Sequence, residues 1–334
     1  MNIFRNIHHK DKGLYKLALF ICFFLPIFFI ILCSPATAQQ NNCKIAIVKS
    51  WDLPEYNLAL EGFFEVMTES GIRCEKAFFG RKGETEKAEE IAKEIKDFDP
   101  DMILTIGSRA TSMISTRFED IPVVFAMVLY PVASSFVESM DKPGKNVTGA
   151  AMDVPVALQL QELSRIVPKM KRVGVLFSPK ETLPVIEKAK IIAQSMNLEL
   201  LAEEVNSESD VPEALNKLDN NKIDALWSVA DGNVFTRPST RYIIKYVVRR
   251  GLPFMGPHNG FVKAGALFAL TADYKDNGRQ AAELSVRVIN GEKPMNIPVA
   301  VPRKIEMALN LQVANHIRLR IPQEIIDEAS QTFD

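Results

Sequence analysis

The feature that most constrains the fold is an alternation, repeated along most of the chain, of short apolar runs with longer amphipathic stretches. Residues 44–48 lead into a helical pattern over 56–69, where Leu60, Phe63, Phe64 and Met67 recur at helical spacing. Residues 74–79 lead into 84–96, with Ala88, Ile91, Ala92 and Ile95 on one face and charges opposite. Residues 102–106 lead into a helix beginning near Ala110, and 123–128 into another after Pro131. Runs this continuously apolar suit parallel strands covered on both faces. A second series repeats the grammar: strands at 173–177, 198–205, 225–229 and 253–255 alternate with helices at 156–167, 184–195, 211–218 and 241–250. Strand–helix alternation requires βαβ units with right-handed crossovers, so each series predicts an open α/β sandwich, a doubly wound, Rossmann-like parallel sheet with helices on both faces. The tail adds a strand at 266–271, a helix at 277–289 stopped by Gly291, an extended segment at 297–309 and a short helix near 312–316.

The first residues follow another pattern. Arg5, Lys10, Lys12 and Lys16 precede an uncharged apolar run over 17–32, and then comes Ser34-Pro35-Ala36-Thr37-Ala38-Gln39. This is the build of a secretory signal peptide, residues 1–38, cleaved after Ala38 to release the protein into the periplasm. The run is shorter than the roughly 20 residues of a spanning helix, and Pro26 interrupts it. A lipoprotein reading centred on Cys33 is disfavoured by Leu32, which stands where a small residue is needed. Cleavage removes four basic residues and one acid, Asp11, from a chain of net charge −1, leaving it more acidic. Nucleic acid is therefore not an expected partner, since no basic domain or stripe is present. The remaining length suits two domains, each with its own core.

Cys22 and Cys33 leave with the signal, so Cys43 and Cys74 remain. Both open strand-like runs in a chain bound for an oxidising compartment, and a disulfide between them is expected; the alternative is two half-buried thiols. Of the histidines, only His258 and His316 persist, neither at ligand-like spacing from a cysteine, so no metal and no cofactor are expected.

From Lys44 to about Ile326 the sequence resembles the type I periplasmic binding fold, and more narrowly the substrate-binding proteins of a bacterial ABC-transporter family with members for tryptophan and tyrosine. The residues that carry the likeness are distributed: Leu58-Ala59-Leu60-Glu61-Gly62-Phe63, Pro100-Asp101-Met102-Ile103-Leu104-Thr105-Ile106-Gly107-Ser108, Asp120-Ile121-Pro122-Val123-Val124-Phe125, Asn146-Val147-Thr148-Gly149, Gly265-Ala266-Leu267, Asp273-Tyr274, Gly278-Arg279-Gln280-Ala281-Ala282-Glu283 and Gly291-Glu292-Lys293-Pro294. The resemblance implies two lobes joined by a three-segment hinge, with crossings near 146–153, 270–273 and 298–303. On that division the first lobe comprises 43–148 and 272–297, and the second 149–271 and 298–334. The chain departs from the family pattern at Gly107-Ser108-Arg109-Ala110-Thr111, where members often carry Gly-Thr-Pro, and at Leu129-Tyr130-Pro131, where they often carry Asp-Pro. Both departures fall in ligand loops.

The position of those loops follows without the family. In an open parallel sheet, ligands bind outside the carboxyl ends of the strands. This nominates Trp51 and Asp52, the Gly107–Thr111 turn, Tyr130, Ser178, Asp231 with Asn233, and Asn259, while Asp273 and Tyr274 lie at a crossing. The turn joins a strand to a helix, so its backbone N–H groups carry the positive end of the helix dipole. A ligand carboxylate is expected there, held by backbone N–H groups of the turn, Ala110 included, with hydroxyl donors from Ser108 and Thr111, close approach at Gly107 and a bidentate clamp from Arg109. Asp231 is expected to accept from a ligand ammonium with help from Asn233, and Asp273 is the second choice. Trp51, Tyr130, Phe235 and Tyr274 offer rings for an apolar or aromatic ligand. The readings against function are ordinary ones: Ser108 as a helix cap, Asp231-Gly232 as a turn pair, each ring as packing.

No Walker loop, Gly-x-Ser-x-Gly elbow, His-Glu-x-x-His or paired zinc set is present, so no enzyme is expected. The expected function is extracytoplasmic capture of a small solute, an amino acid (aromatic ones included) or a similar small molecule, for uptake through an ABC permease by a monomer. The alternative is a sensory module that presents the same ligand to a membrane-bound kinase or cyclase.

Overall fold

The computed structural model describes residues 42–80 and 87–334. The signal peptide, its cleavage after Ala38, Cys22 and Cys33 lie outside the described residues.

Two separate sheets organise the chain. The first has the order β2-β1-β3-β4-β5, from β1 (Asn42–Lys49), β2 (Arg73–Phe79), β3 (Met102–Ile106), β4 (Val123–Val128) and β5 (Val147–Ala151). The pairs β1/β3, β3/β4 and β4/β5 are parallel. Successive side chains of a strand point to opposite faces, and both faces here are covered. Ile45 and Ile47 pack with Leu60, Phe63 and Met67 of α1 (Pro54–Glu69), whereas Ala46 and Val48 pack with Ile91 and Ile95 of α2 (Ala88–Phe98). This explains why the strands read as unbroken apolar runs. Helix α3 (Ser108–Ser115) follows β3.

The second sheet has the order β12-β11-β10-β9-β8-β6-β7. Its parallel part is β6 (Arg172–Phe177), β7 (Glu199–Glu204), β8 (Ala225–Ser228), β9 (Phe254–Met255) and β10 (Phe268–Ala272), in the same relative order as the first sheet. Helices α4 (Val156–Ile166), α5 (Pro179–Ser195), α6 (Val211–Asn220), α7 (Arg237–Arg250) and α8 (Asn259–Ala264) cover it. Strand β11 (Ile305–Asn310) then adds antiparallel to β10, and β12 (Gln331–Phe333) adds parallel to β11. Helices α10 (Leu311–His316) and α11 (Gln323–Glu328) complete the tail. In each sheet the order reverses once, between β1 and β3 and between β6 and β8. Such reversals open a crevice at the strand tips.

The chain passes between the sheets three times: from β5 to α4, from β10 to α9 (Tyr274–Ile289), and from residue 300 to β11. Helix α9 belongs with the first lobe and lies on α1. A Cβ added to Gly62 would overlap the Lys275 carbonyl, and one added to Gly278 the Ala59 carbonyl, so both positions admit only hydrogen at this helix contact. Lys275 pairs with Glu61 and Glu65, and Arg279 with Glu65 and Glu69, along the same seam. The return segment is pinned by paired hydrogen bonds of 2.9 Å, Ala151 N–H to the Ala300 carbonyl and Ala300 N–H to the Gly149 carbonyl. These are the two doubly wound lobes and three-segment hinge of the expected architecture.

The structure corrects the sequence reading in several places. No helix follows Pro131; residues 131–135 form turns, with Ser134 N–H donating to the Tyr130 carbonyl and Ser135 at φ +59°. Serines compete for backbone groups and seldom sustain a helix, and the left-handed residue stops it. Helix α5 starts at Pro179, not Pro184, because Pro179 takes the first helical position after Ser178 and Pro184 is carried inside the helix. The short elements α8, α11 and β12 have no expected counterpart, being too brief to show a period.

Candidate functional site

The loops at the carboxyl ends of β1, β3 and β4 face those of β6, β8 and β9. At the tip of β3, Gly107 adopts φ +91° as the residue before α3. A Cβ there would run into the Tyr56 hydroxyl and Ser50 Oγ, so glycine is required by both conformation and space. Ser50, at the tip of β1, accepts the Ala110 N–H at 2.8 Å and thereby caps α3 from a neighbouring strand. Thr111 is fully buried, its hydroxyl bonded to Thr105 Oγ1 (2.8 Å) and the Gly107 carbonyl (3.0 Å). Thr111 and Ala110 therefore do not offer a ligand the donors expected of them, since the lobe itself has taken both. Ser108 does not cap α3 either; it is the first helical residue and half-buried. Arg109 is exposed, with its guanidinium 5.1 Å from the centre of the exposed Trp51 ring. Asp52 accepts from Lys49 Nζ at 2.8 Å.

Tyr130 reaches from one lobe to the other. Its backbone sits at φ +52° and donates to both Asp153 oxygens, at 2.9 and 3.0 Å. Its hydroxyl accepts the Ala230 N–H of the second lobe at 3.1 Å. Burial holds this phenol protonated far above its ordinary range. Burial also pushes the Asp153 carboxyl up to about 6, against the hydrogen bond from Tyr130 and the charge of Lys188.

In the second lobe the expectation for Asp231 is overturned. The carboxylate is buried and receives four donors: Ser178 N–H (2.7 Å), Thr182 Oγ1–H (2.6 Å), Asn233 N–H (3.0 Å) and Val234 N–H (3.1 Å). Four donors occupy its acceptor sites, so it ties β6, α5 and the loop after β8 together instead of awaiting a ligand cation. Ser178 is buried in the same knot, and its Oγ accepts from the exposed Asn233 at 3.3 Å. Glu181 receives the Gly232 N–H at 2.6 Å, and burial beside Asp231 raises its carboxyl. Phe235 is half-buried, edge-on to Phe261 at 5.5 Å and stacked on Phe254 at 6.5 Å. Asn259 accepts from Thr271 Oγ1 at 2.8 Å. Asp273 caps α9 by accepting the Asp276 N–H at 2.9 Å, which supplies a structural role for the second-choice carboxylate.

Glu55, Tyr56 and Asp153 at these tips escaped sequence reasoning, whereas Ser50 and His258 belong to loops that the strand-tip rule nominates. Burial raises Tyr56, opposed by its hydrogen bond with Ser50. Burial raises Tyr274, reinforced by the charges of Glu55 and Glu306. His258 keeps part of its ring open to solvent, yet the protein around it disfavours the charged form and lowers its pKa, against the pull of Glu55. Adjacency to a strand tip was the available signal, and it points to Ser50, two residues past the expected strand end, as strongly as to Trp51.

Away from the cleft, Cys43 and Cys74, each near the start of its strand (β1 and β2), are joined with Cα atoms 4.4 Å apart. A cavity of about 230 Å³ bounded by Phe64, Met67, Ile72 and Cys74 lies there too. Among the described residues, no group of three or more His, Cys, Asp or Glu side chains is placed to hold a metal, and no helix is long and apolar enough to cross a membrane.

Comparison with known proteins converges on one class. A tyrosine-binding protein of Clostridioides difficile (strain R20291) is 25% identical over 280 residues, covering 82% of this chain and 80% of its own. A substrate-binding protein with adhesive properties from Clostridium difficile, in its ligand-free, open form, superposes with a TM-score of 0.74 at 23% identity, covering 87% of this chain and 99% of its own. An ABC domain from Streptococcus pneumonia in complex with L-Trp gives a TM-score of 0.69 at 23% identity, covering 87% of this chain and all of its own. The family model for ABC transporter substrate binding proteins matches residues 44–333. The chain belongs to the ABC transporter substrate-binding protein family.

Proposed function

We propose that the protein captures an amino acid, with an aromatic side chain preferred, between its two lobes in the periplasm and delivers it to an ABC permease. The observation that carries this reading is the tip of β3, where Gly107 opens the start of α3 beside the exposed pair Trp51 and Arg109. A helix start favours an anion, and an aromatic ring under a guanidinium offers both an apolar face and a charge. Ser108 and Arg109 receive the carboxylate on this reading, while Trp51, Tyr130, Phe235 and Tyr274 approach the side chain from both lobes, with Asn233 and Asn259 at the rim. The tyrosine-binding relative supports the ligand class. The role is binding without chemistry, by a monomer released after Ala38.

Isothermal titration of the mature protein with the twenty L-amino acids tests this. Saturable binding of L-tyrosine, L-tryptophan or L-phenylalanine, weakened at least tenfold by Arg109→Ala, is the expected result. Silence with all twenty refutes the amino-acid reading.

A further inference from the structure

An amino acid carries an ammonium group on the same carbon as its carboxylate, so a cleft that selects both needs an acid with spare lone pairs close to the carboxylate's seat. The acids around the strand tips differ sharply in this respect. Asp231 is saturated by four donors, and Asp153 holds the Tyr130 N–H. Glu181 holds the Gly232 N–H, Asp52 is paired with Lys49, and Asp273 caps α9. Glu55 is unlike them. It is half-buried in the first turn of α1, and among the described residues it has neither a hydrogen bond nor an ion pair. The first turn of α1 suits its negative charge, and the carboxylate there keeps lone pairs that no donor among the described residues takes.

Its surroundings place it at the cleft. The next residue, Tyr56, sets its hydroxyl against Ser50 and against the position a Cβ of Gly107 would occupy. Glu55 therefore stands beside the start of α3, where the carboxylate is proposed to sit. The charge of Glu55 acts on Tyr274 of the hinge helix and on His258 of the second lobe, which supports a position toward the cleft. His258 is itself fixed: Nδ1 accepts the Gly260 N–H at 3.1 Å, which leaves the proton of the neutral ring on Nε2, and the ring stands edge-on to Phe261 at 4.9 Å. Glu306 is the other acid near Tyr274, but it is exposed on β11 and its charge reaches neither His258 nor Tyr56.

We infer that Glu55 is the specificity-determining residue that receives the ammonium group of the ligand, at the first turn of α1 beside the Gly107 tip. This rests on the amino-acid reading above. An ammonium bound there bridges the first lobe to the second only when the lobes approach, which couples recognition of the cation to closure.

The test is a cycle of two proteins and two ligand pairs. Wild type and Glu55→Gln are titrated with L-tyrosine and its desamino analogue 3-(4-hydroxyphenyl)propionate, and with L-tryptophan and indole-3-propionate. Wild type should prefer the amino acid over the desamino acid by at least thirtyfold. Glu55→Gln should bring that ratio to within about threefold, with amino-acid binding weakened and desamino binding no weaker than in wild type. A structural role for Glu55 would instead weaken both members of a pair equally. Retention of the wild-type ratio in Glu55→Gln, equal loss of both ligands, or a wild type indifferent to the ammonium each overturns the inference while leaving amino-acid capture standing. If wild type binds neither member of either pair, the amino-acid reading falls with it.

Discussion

Replacing Asp231 by alanine separates a structural carboxylate from a ligand-binding one. The side chain is buried and bonded at 2.6–3.1 Å to four donors from three segments: Ser178 at the tip of β6, Thr182 in α5, and Asn233 and Val234 after β8. Hydrogen bonds to a charged group contribute about 1.5–3 kcal/mol each when one partner is removed, and a buried donor left unmet adds to the loss. The gross figure is reduced because desolvating the carboxylate was itself unfavourable, and because water enters the space left by the truncation and meets some of the donors. The net expectation is a destabilisation of about 3–5 kcal/mol, in the range diagnostic of a broken buried network. At about 2–4 °C per kcal/mol for a chain of this size, the melting temperature should fall by about 10 °C. Asp231→Asn, which keeps an acceptor for two donors and turns an amide toward the others, should lie about midway. The assay is thermal and urea denaturation of each variant, paired with ligand titration well below the transition. Affinity of the folded protein should stay within about threefold of wild type, since no lone pair of Asp231 is available to a guest. A variant that melts with wild type yet has lost its ligand would refute this reasoning and return Asp231 to the binding surface.

Three further outcomes concern Asp153, Gly278 and Gly232. The folded-state pKa of Asp153 is raised from 3.8 to about 6, so the folded chain takes up a proton that the unfolded chain does not as pH falls from 7 toward 4. Stability from this group is fully present below about 4 and lost as pH rises through 6; allowing for the solvent it still meets, Asp153→Asn should remove about 1–2 kcal/mol of that pH dependence. A wild-type-minus-variant difference in melting temperature that is constant from pH 4.5 to 7.5 would disprove it. At the α1–α9 seam, Gly278→Val should destabilise by about 1–3 kcal/mol through overpacking against the Ala59 carbonyl. Gly232→Ala, whose added carbon meets only the Glu181 carboxylate at 3.5 Å, should be near neutral in the same denaturation assay.

The sequence was most legible where both faces of a strand are covered. Residues 102–106 and 123–128 coincide with β3 and β4 because burial at almost every position leaves an apolar run with sharp ends at Asp101, Gly107 and Pro122. The Gly107 turn was legible too, since a strand, a glycine and a helix in succession permit few backbones. Asp231 was misread because its partners lie 53 and 49 residues earlier for Ser178 and Thr182. No local pattern announces donors that only the β6/β8 neighbourhood brings near. Glu55 was invisible for a different reason. An acid in a first helical turn looks the same whether it faces water, as the exposed Glu89 of α2 does, or a cleft. The segment after Pro131 failed because its left-handed Tyr130 and Ser135 are imposed by tertiary contacts, Asp153 among them.

The glycine contact between α1 and α9 determines where the molecule can bend. With Gly62 and Gly278 letting the two backbones touch, and Lys275 and Arg279 strapped to three glutamates, α9 travels with the first lobe as a rigid strut. Rotation of one lobe against the other is then concentrated in three short spans, 152–155, the junction at Asp273, and 301–304. Two of these spans are already stitched together by the Asp273 N–H to Lys304 carbonyl bond of 3.0 Å. The pivot therefore lies beside Asp273 and Lys304, and the opposite rim, at β2 and β7 on the far edges of the two sheets, sweeps the widest arc. A small turn at the pivot is enough to part that rim and admit or release a guest.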